Sequence, residues 1–180
     1  MKIAPHHQTA CWLIISSVLL SSLIPGGPVE NRDFSHIHPI VLAVFNVFLT
    51  TLDLGSLVLA YFAWKKRSWA FRAAFSAGVA YFAVYAVDLA QLFPRSPTPM
   101  SFSLALIEVM GMTASVPLMF ASRRSHRDIN DADEVSGTNS TRYAIALALT
   151  LAGIGIIWFA TDAAMGGSVS LALPAAEAPA

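Results

Sequence analysis

The sequence predicts an all-α, polytopic integral membrane bundle of five transmembrane helices, the first one short, with its N-terminus in the cytoplasm and its C-terminus outside. Three observations carry this expectation. Hydrophobic residues make up 56% of the 180 residues and charged residues only 12%, about half the charged share of an ordinary globular domain. A soluble domain of this size cannot hide so much apolar surface, whereas lipid solvates it directly. The apolar residues gather into runs that approach or exceed the roughly twenty needed to cross the hydrocarbon core, and the cations gather in alternate links between those runs.

The first run, Cys11 to Ile24, lies in a span of about 10–25 and stops at Pro25-Gly26-Gly27. Its n-region offers only Lys2 as a side-chain cation and no A-x-A site follows it, so it reads as a retained helix and not as a cleaved signal peptide. The second span covers 39–64 and the third 69–93, joined by a short basic hairpin bracketed by Trp64 and Trp69. Three prolines in the link 94–99 predict a tight turn into the fourth span, 100–121, which contains Pro117 and should kink there. Residues 122–142 are polar and read as a cytoplasmic loop, followed by the fifth span, 143–161. The tail, 166–180, offers too little apolar surface to fold. The whole chain, 1–180, is thus one transmembrane domain, with spans two to five expected to form its core. Small residues mark the contact faces of helices in lipid. Ala144, Ala148, Ala152 and Gly155 line one such face on the fifth span, and Ala74, Ala77 and Gly78 another on the third.

Charge orients the bundle. Of the 11 basic residues, Lys2, Lys65, Lys66, Arg67, Arg72, Arg123, Arg124, Arg127 and Arg142 fall on one side, leaving only Arg32 and Arg95 on the other. The positive-inside rule makes the richer side cytoplasmic. The expected location is therefore the cell membrane, crossed several times, with a bacterial inner membrane as the setting. There is no basic stripe with interleaved aromatics, so nucleic acid is not an expected partner. The expected partners are membrane lipids, together with other membrane subunits or further copies of the chain.

Carboxylates inside spans are costly and point to function by default. Asp53, Asp88, Glu108 and Asp162 lie within or at the edge of spans, all but Asp53 in the outer half and Asp53 near the middle. Their neighbours follow them. Asn46, Thr50 and Asp53 share a helix face, as do Tyr81, Tyr85 and Asp88, and as do Ser101, Glu108, Gly111 and Ser115. His36 and His38 stand just before the second span. If these faces converge, they enclose a polar cavity open to the outside and closed toward the cytoplasm, with Asp53 and Glu108 as its principal groups, a pair that could share one proton. The same residues also fit a structural network, since Asn, Thr, Tyr and Ser bridge helices routinely.

Metal and cofactor signals are weak. His36-x-His38 with Met100, Met110, Met112 and Met165 is a donor set that suits copper, but methionine fills apolar interiors routinely, and no span holds a histidine for haem. No cofactor and no metal site are predicted. The single cysteine, Cys11, rules out an intrachain disulfide framework. There is no G-x-S-x-G, no H-E-x-x-H and no phosphate-cradling glycine loop, so the chain does not read as an enzyme. Two functions remain. One is an outward-facing acidic cavity that binds or passes a proton, a cation or a small polar ligand. The other is a non-catalytic accessory subunit of a larger membrane complex.

Overall fold

The computed structural model describes residues 4–24, 29–30, 32–129 and, further on, 153, 155, 156 and 158. Among them run four continuous helices and no strand: α1 (Pro5–Ser21), α2 (Pro39–Trp64), α3 (Ser68–Leu89) and α4 (Phe102–Ile129). α2, α3 and α4 as far as Asp128 are long and apolar enough to cross a membrane. Of the fifth span, Gly153, Gly155, Ile156 and Trp158 are helical. The rest of it, the polar stretch beyond Ile129, Asp162 and the tail lie outside the described residues.

Local chemistry sets the helix ends. Proline opens α1 at Pro5 and α2 at Pro39, where a missing N–H costs nothing. His38 caps α2, its Nδ1 accepting from the Ile40 N–H at 3.3 Å. α2 and α3 both stop where one residue turns left-handed, Lys66 with φ 55° and Gln91 with φ 53°. The Arg67 N–H then reaches back to the Phe62 carbonyl and the Leu92 N–H to that of Val87, each at 3.0 Å, which satisfies carbonyls the helix end would orphan. α3 therefore ends at Leu89 and not at Phe93. α4 departs from expectation the other way, continuing beyond Ala121 through residues read as loop. Ser122 and Ser125 are both fully buried, and the Ser125 and Thr9 hydroxyls meet at 3.0 Å. Packing against α1 thus keeps the polar end of α4 helical.

α1 packs on α2 and α4, α2 on α3, and α3 on α4, while α1 and α3 touch little across the diagonal. The four helices form a bundle with α1 at one corner, so the expectation that spans two to five alone build the core needs correction. Ala10, Leu13 and Leu20 of α1 join Ala60, Phe71, Ala74, Tyr81, Tyr85 and Leu118 in one buried cluster. The buried face of α1 also carries Thr9, Ser16 and Ser17, small side chains that allow close backbone approach. The same device works between α3 and α4. A Cβ on Gly78 would stand 2.8 Å from Met119 Cγ, and one on Gly111 would stand 2.8 Å from Tyr85 Oη and closer still to its ring.

α1 is the short member, and its alignment decides what lies above it. The His7 ring packs on the Trp64 ring, 4.4 Å between centroids, so α1 begins level with the end of α2. Ser17 and Ser21 donate to Asp53, which lies about 20 Å from Pro39 along α2 at about 1.5 Å per residue. α1 ends there. Its 17 residues give about 25 Å of helix, short of a hydrocarbon core about 30 Å thick. The corner of the bundle beyond Ser21 is occupied by residues from the link between α1 and α2, of which Glu30 and Phe34 are buried to 4% and 3% exposure. The turn after α3 holds it there: the Asp33 N–H donates to Thr98 Oγ1 at 3.3 Å and Ser96 Oγ to the Asp33 carbonyl at 3.0 Å.

Gly111→Ala is expected to lower stability, by on the order of 1–3 kcal/mol for a core that cannot absorb a methyl. Gly55→Ala, where the added carbon meets nothing within 4 Å, is expected to leave it unchanged. Thermal unfolding of the two purified variants in one detergent makes the comparison.

Candidate binding cavity

Beyond the C-terminus of α1 the bundle holds a partly open cavity of about 70 Å³, space for about five waters at roughly 10–15 Å³ each. Its walls come from the end of α1 (Leu20, Ser21), from the inward-folded segment (Glu30, Arg32, Phe34), from α2 (Leu42, Asn46, Leu49, Thr50, Asp53) and from α3 (Val84, Tyr85, Asp88), with Ile156 also present. Toward the end carrying Lys65–Arg67, the space is filled by Leu13, Phe71, Ala74 and Leu118, none of them exposed. Toward the opposite end, a wider depression of about 690 Å³ is lined by Ala90 to Met100 and shares Arg32 and Pro94 with the cavity. Arg32 therefore stands between the depression and the cavity.

Two acidic centres sit at different depths. The deeper is Asp53, only 7% exposed. Oδ1 accepts from Ser17 Oγ at 2.5 Å and Oδ2 from Ser21 Oγ at 2.7 Å. No Lys, Arg or His comes within ion-pair distance of it among the described residues. This corrects the idea that Asp53 pairs with Glu108, because the polar face of α1 supplies its donors instead. The helices explain the arrangement: Ser17 and Ser21 are one turn apart on α1 and bracket one carboxylate on α2.

The second centre is built on Arg32. Its Nη1 and Nη2 donate to the two oxygens of Asp88, each at 2.8 Å, a bidentate pair. Nε and Nη2 also reach Glu30, at 3.0 and 2.6 Å. Nη2 stands 3.8 Å from Glu108 Oε1. Burial works against the charge of Arg32, but the bonds to Asp88 and Glu30 outweigh it and hold its pKa above the ordinary value. One guanidinium thus serves three carboxylates. Glu108 is fully buried, and among the described residues neither of its oxygens has a hydrogen-bond partner within normal geometry.

The residues predicted from the sequence divide into three groups. Asp53, Asn46, Thr50, Tyr85 and Asp88 line the cavity. Glu108 lies behind Asp88 and Arg32 and is not part of the wall. Tyr81 sits deeper, its hydroxyl donating to Ser56 Oγ at 2.9 Å, and its ring runs nearly parallel to that of Tyr85. The Tyr85 hydroxyl is buried without a partner. His36 and His38 are exposed and line neither the cavity nor the depression, His38 being occupied as a helix cap. Among the described residues no group of three His, Cys, Asp or Glu side chains could hold a metal ion. Sequence reasoning missed Ser17, Ser21, Glu30 and Arg32. The signals were present, in serine pairs at 16–17 and 21–22 within an apolar run, and in an acidic and a basic residue two apart just before α2.

Fold and site together define an all-helical protein with three helices fit to span a membrane and a charged, partly open cavity in one half of the bundle. Residues 5–142 match the family described as Domain of unknown function (DUF8051), and the chain belongs to that family. The matched stretch contains all four helices and every cavity-lining residue except Ile156. No curated protein and no solved structure matches the chain.

Arg32→Gln strips three neighbouring carboxylates of their cation, and breaking a buried pair from one side typically costs about 3–5 kcal/mol. The expected result is a large loss of thermal stability at neutral pH, part of which returns in the double variant Arg32→Gln/Asp88→Asn. A double-mutant cycle by thermal unfolding reads the coupling.

Proposed function

We propose that the protein is a multi-pass protein of the cell membrane, with five spans and a cytoplasmic N-terminus, whose outward-facing cavity binds a small cation or polar ligand. Asp53 is the principal anchor. The observation that carries this reading is a buried carboxylate with no cationic partner among the described residues, facing a partly open cavity. A structural carboxylate is normally neutralised by a neighbouring cation, as Asp88 is by Arg32; a ligand is what would complete Asp53. The apolar plug of Leu13, Phe71 and Leu118 beneath it favours binding over conduction. Arg32, bonded to Asp88 between the depression and the cavity, is the natural closure over the bound ligand.

Asp53→Asn keeps an acceptor for one serine and removes the charge. It is expected to abolish ligand binding while leaving membrane expression intact. Binding to purified protein together with expression in isolated membranes tests this, and unimpaired binding by Asp53→Asn would falsify the reading. The accessory-subunit alternative has its own marker in Gly155, where an added Cβ meets nothing within 4 Å. Gly155→Leu is therefore expected to fold and bind normally. If that variant loses function while Asp53→Asn keeps it, a partner helix seated at Gly155 is the better account.

A further inference from the structure

The chemistry of the cavity wall narrows what the ligand can be, given the cavity reading above. The polar groups that face the space are not spread evenly. The carboxylates toward the depression, Glu30 and Asp88, are already bonded to Arg32. Among the described residues, Asp53 at the floor receives two hydroxyl donors. A carboxylate offers about four lone-pair sites, so roughly two remain there, with the Thr50 side chain on the same wall. Between floor and mouth the described walls are mostly apolar, with Leu20, Leu23, Phe45, Leu49 and Val84, and Asn46 and Tyr85 are the polar exceptions.

A bare inorganic cation fits this poorly. It needs several oxygen ligands to replace its water, and Asp53 is the one carboxylate among the described lining residues that is not bonded to Arg32. It would also leave the apolar walls facing water. A lipid inserted tail-first from the outer leaflet would press hydrocarbon against Asp53. A neutral apolar molecule would leave the remaining acceptor sites of Asp53 buried without donors, which is costly. An alkyl- or cycloalkylammonium suits both the acidic floor and the mostly apolar walls. Its N–H donors meet Asp53, and its hydrocarbon covers the leucines. Size follows from the volume: about five waters, at about 30 Å³ each as liquid, equal a molecule of roughly six to eight heavy atoms.

We infer that the cavity binds a small organic ammonium ion, its charged nitrogen on Asp53 at the floor and its apolar body between Leu20, Leu49 and Val84. The closing experiment uses the full-length protein in detergent at pH 7, titrated calorimetrically with cyclohexylammonium, with cyclohexanol as its neutral counterpart, and with sodium and potassium chloride. Cyclohexylammonium is expected to bind at least about tenfold more tightly than cyclohexanol, the effect of one charge-assisted hydrogen bond to a buried carboxylate. Asp53→Asn is expected to erase that preference, and Leu49→Trp, which fills the apolar wall, to erase binding of both. The comparison of cyclohexylammonium with cyclohexanol is made on the unmodified chain, so it decides even where a variant misfolds. Equal affinity for the two overturns the inference. Sodium or potassium binding that depends on Asp53, without competition from cyclohexylammonium, overturns the inference and leaves the cavity reading standing. No Asp53-dependent binding of any probe removes both.

Discussion

The arrangement of this bundle follows from the length of its first helix. α1 starts beside Trp64 and ends beside Asp53, so α2 runs on for about 15–20 Å with an empty corner next to it. Lipid cannot fill that corner without meeting polar backbone, and irregular backbone is tolerated at membrane depth only where protein or enclosed water covers it. Glu30 and Phe34, from the link between α1 and α2, are buried there. What remains between that segment and the end of α1 is the cavity. Its position, its depth and its lining are consequences of a helix that stops early.

The same geometry sorts the charges. Folding the segment inward carries Arg32 to Asp88 and Glu108, so the acidic residues nearest the depression obtain a counter-ion from a loop. Asp53 lies too deep for Arg32 and receives serine hydroxyls instead. Neutral donors stabilise a carboxylate without cancelling its charge. The two acidic centres, about 10 Å apart in depth by helix rise, therefore differ in kind. One is internally compensated and holds the segment in place. The other, among the described residues, has serine hydroxyls and no cation.

An all-helical membrane protein was legible in the sequence, since α2, α3 and α4 carry long apolar runs whose composition alone suits lipid. Periodicity also pointed to the right faces for Asn46, Thr50, Asp53, Tyr85 and Asp88, because residues three and four apart on one helix share a side whatever the helix packs against. Partner identity was harder to read. Asp53 finds Ser17 and Asp88 finds Arg32 across separations of 36 and 56 residues, and nothing in local spacing encodes such pairings. Ser122 and Ser125 looked like loop residues because their burial depends on α1. Arg32 looked like an external charge because a loop's path back into a bundle is set by the space that other elements leave.

Accessibility of the cavity to one side of the membrane tests the central claim most directly. With Cys11→Ser as background, Thr50→Cys places a thiol on the cavity wall and Val47→Cys places one on the exposed face of α2. A small, charged, membrane-impermeant thiol reagent is then added to intact cells. The account predicts that Thr50→Cys reacts from outside and that Val47→Cys, facing lipid, does not. Reaction of Thr50→Cys only after the cytoplasmic face is exposed, or with neither face, would contradict an outward-facing cavity above a short first helix.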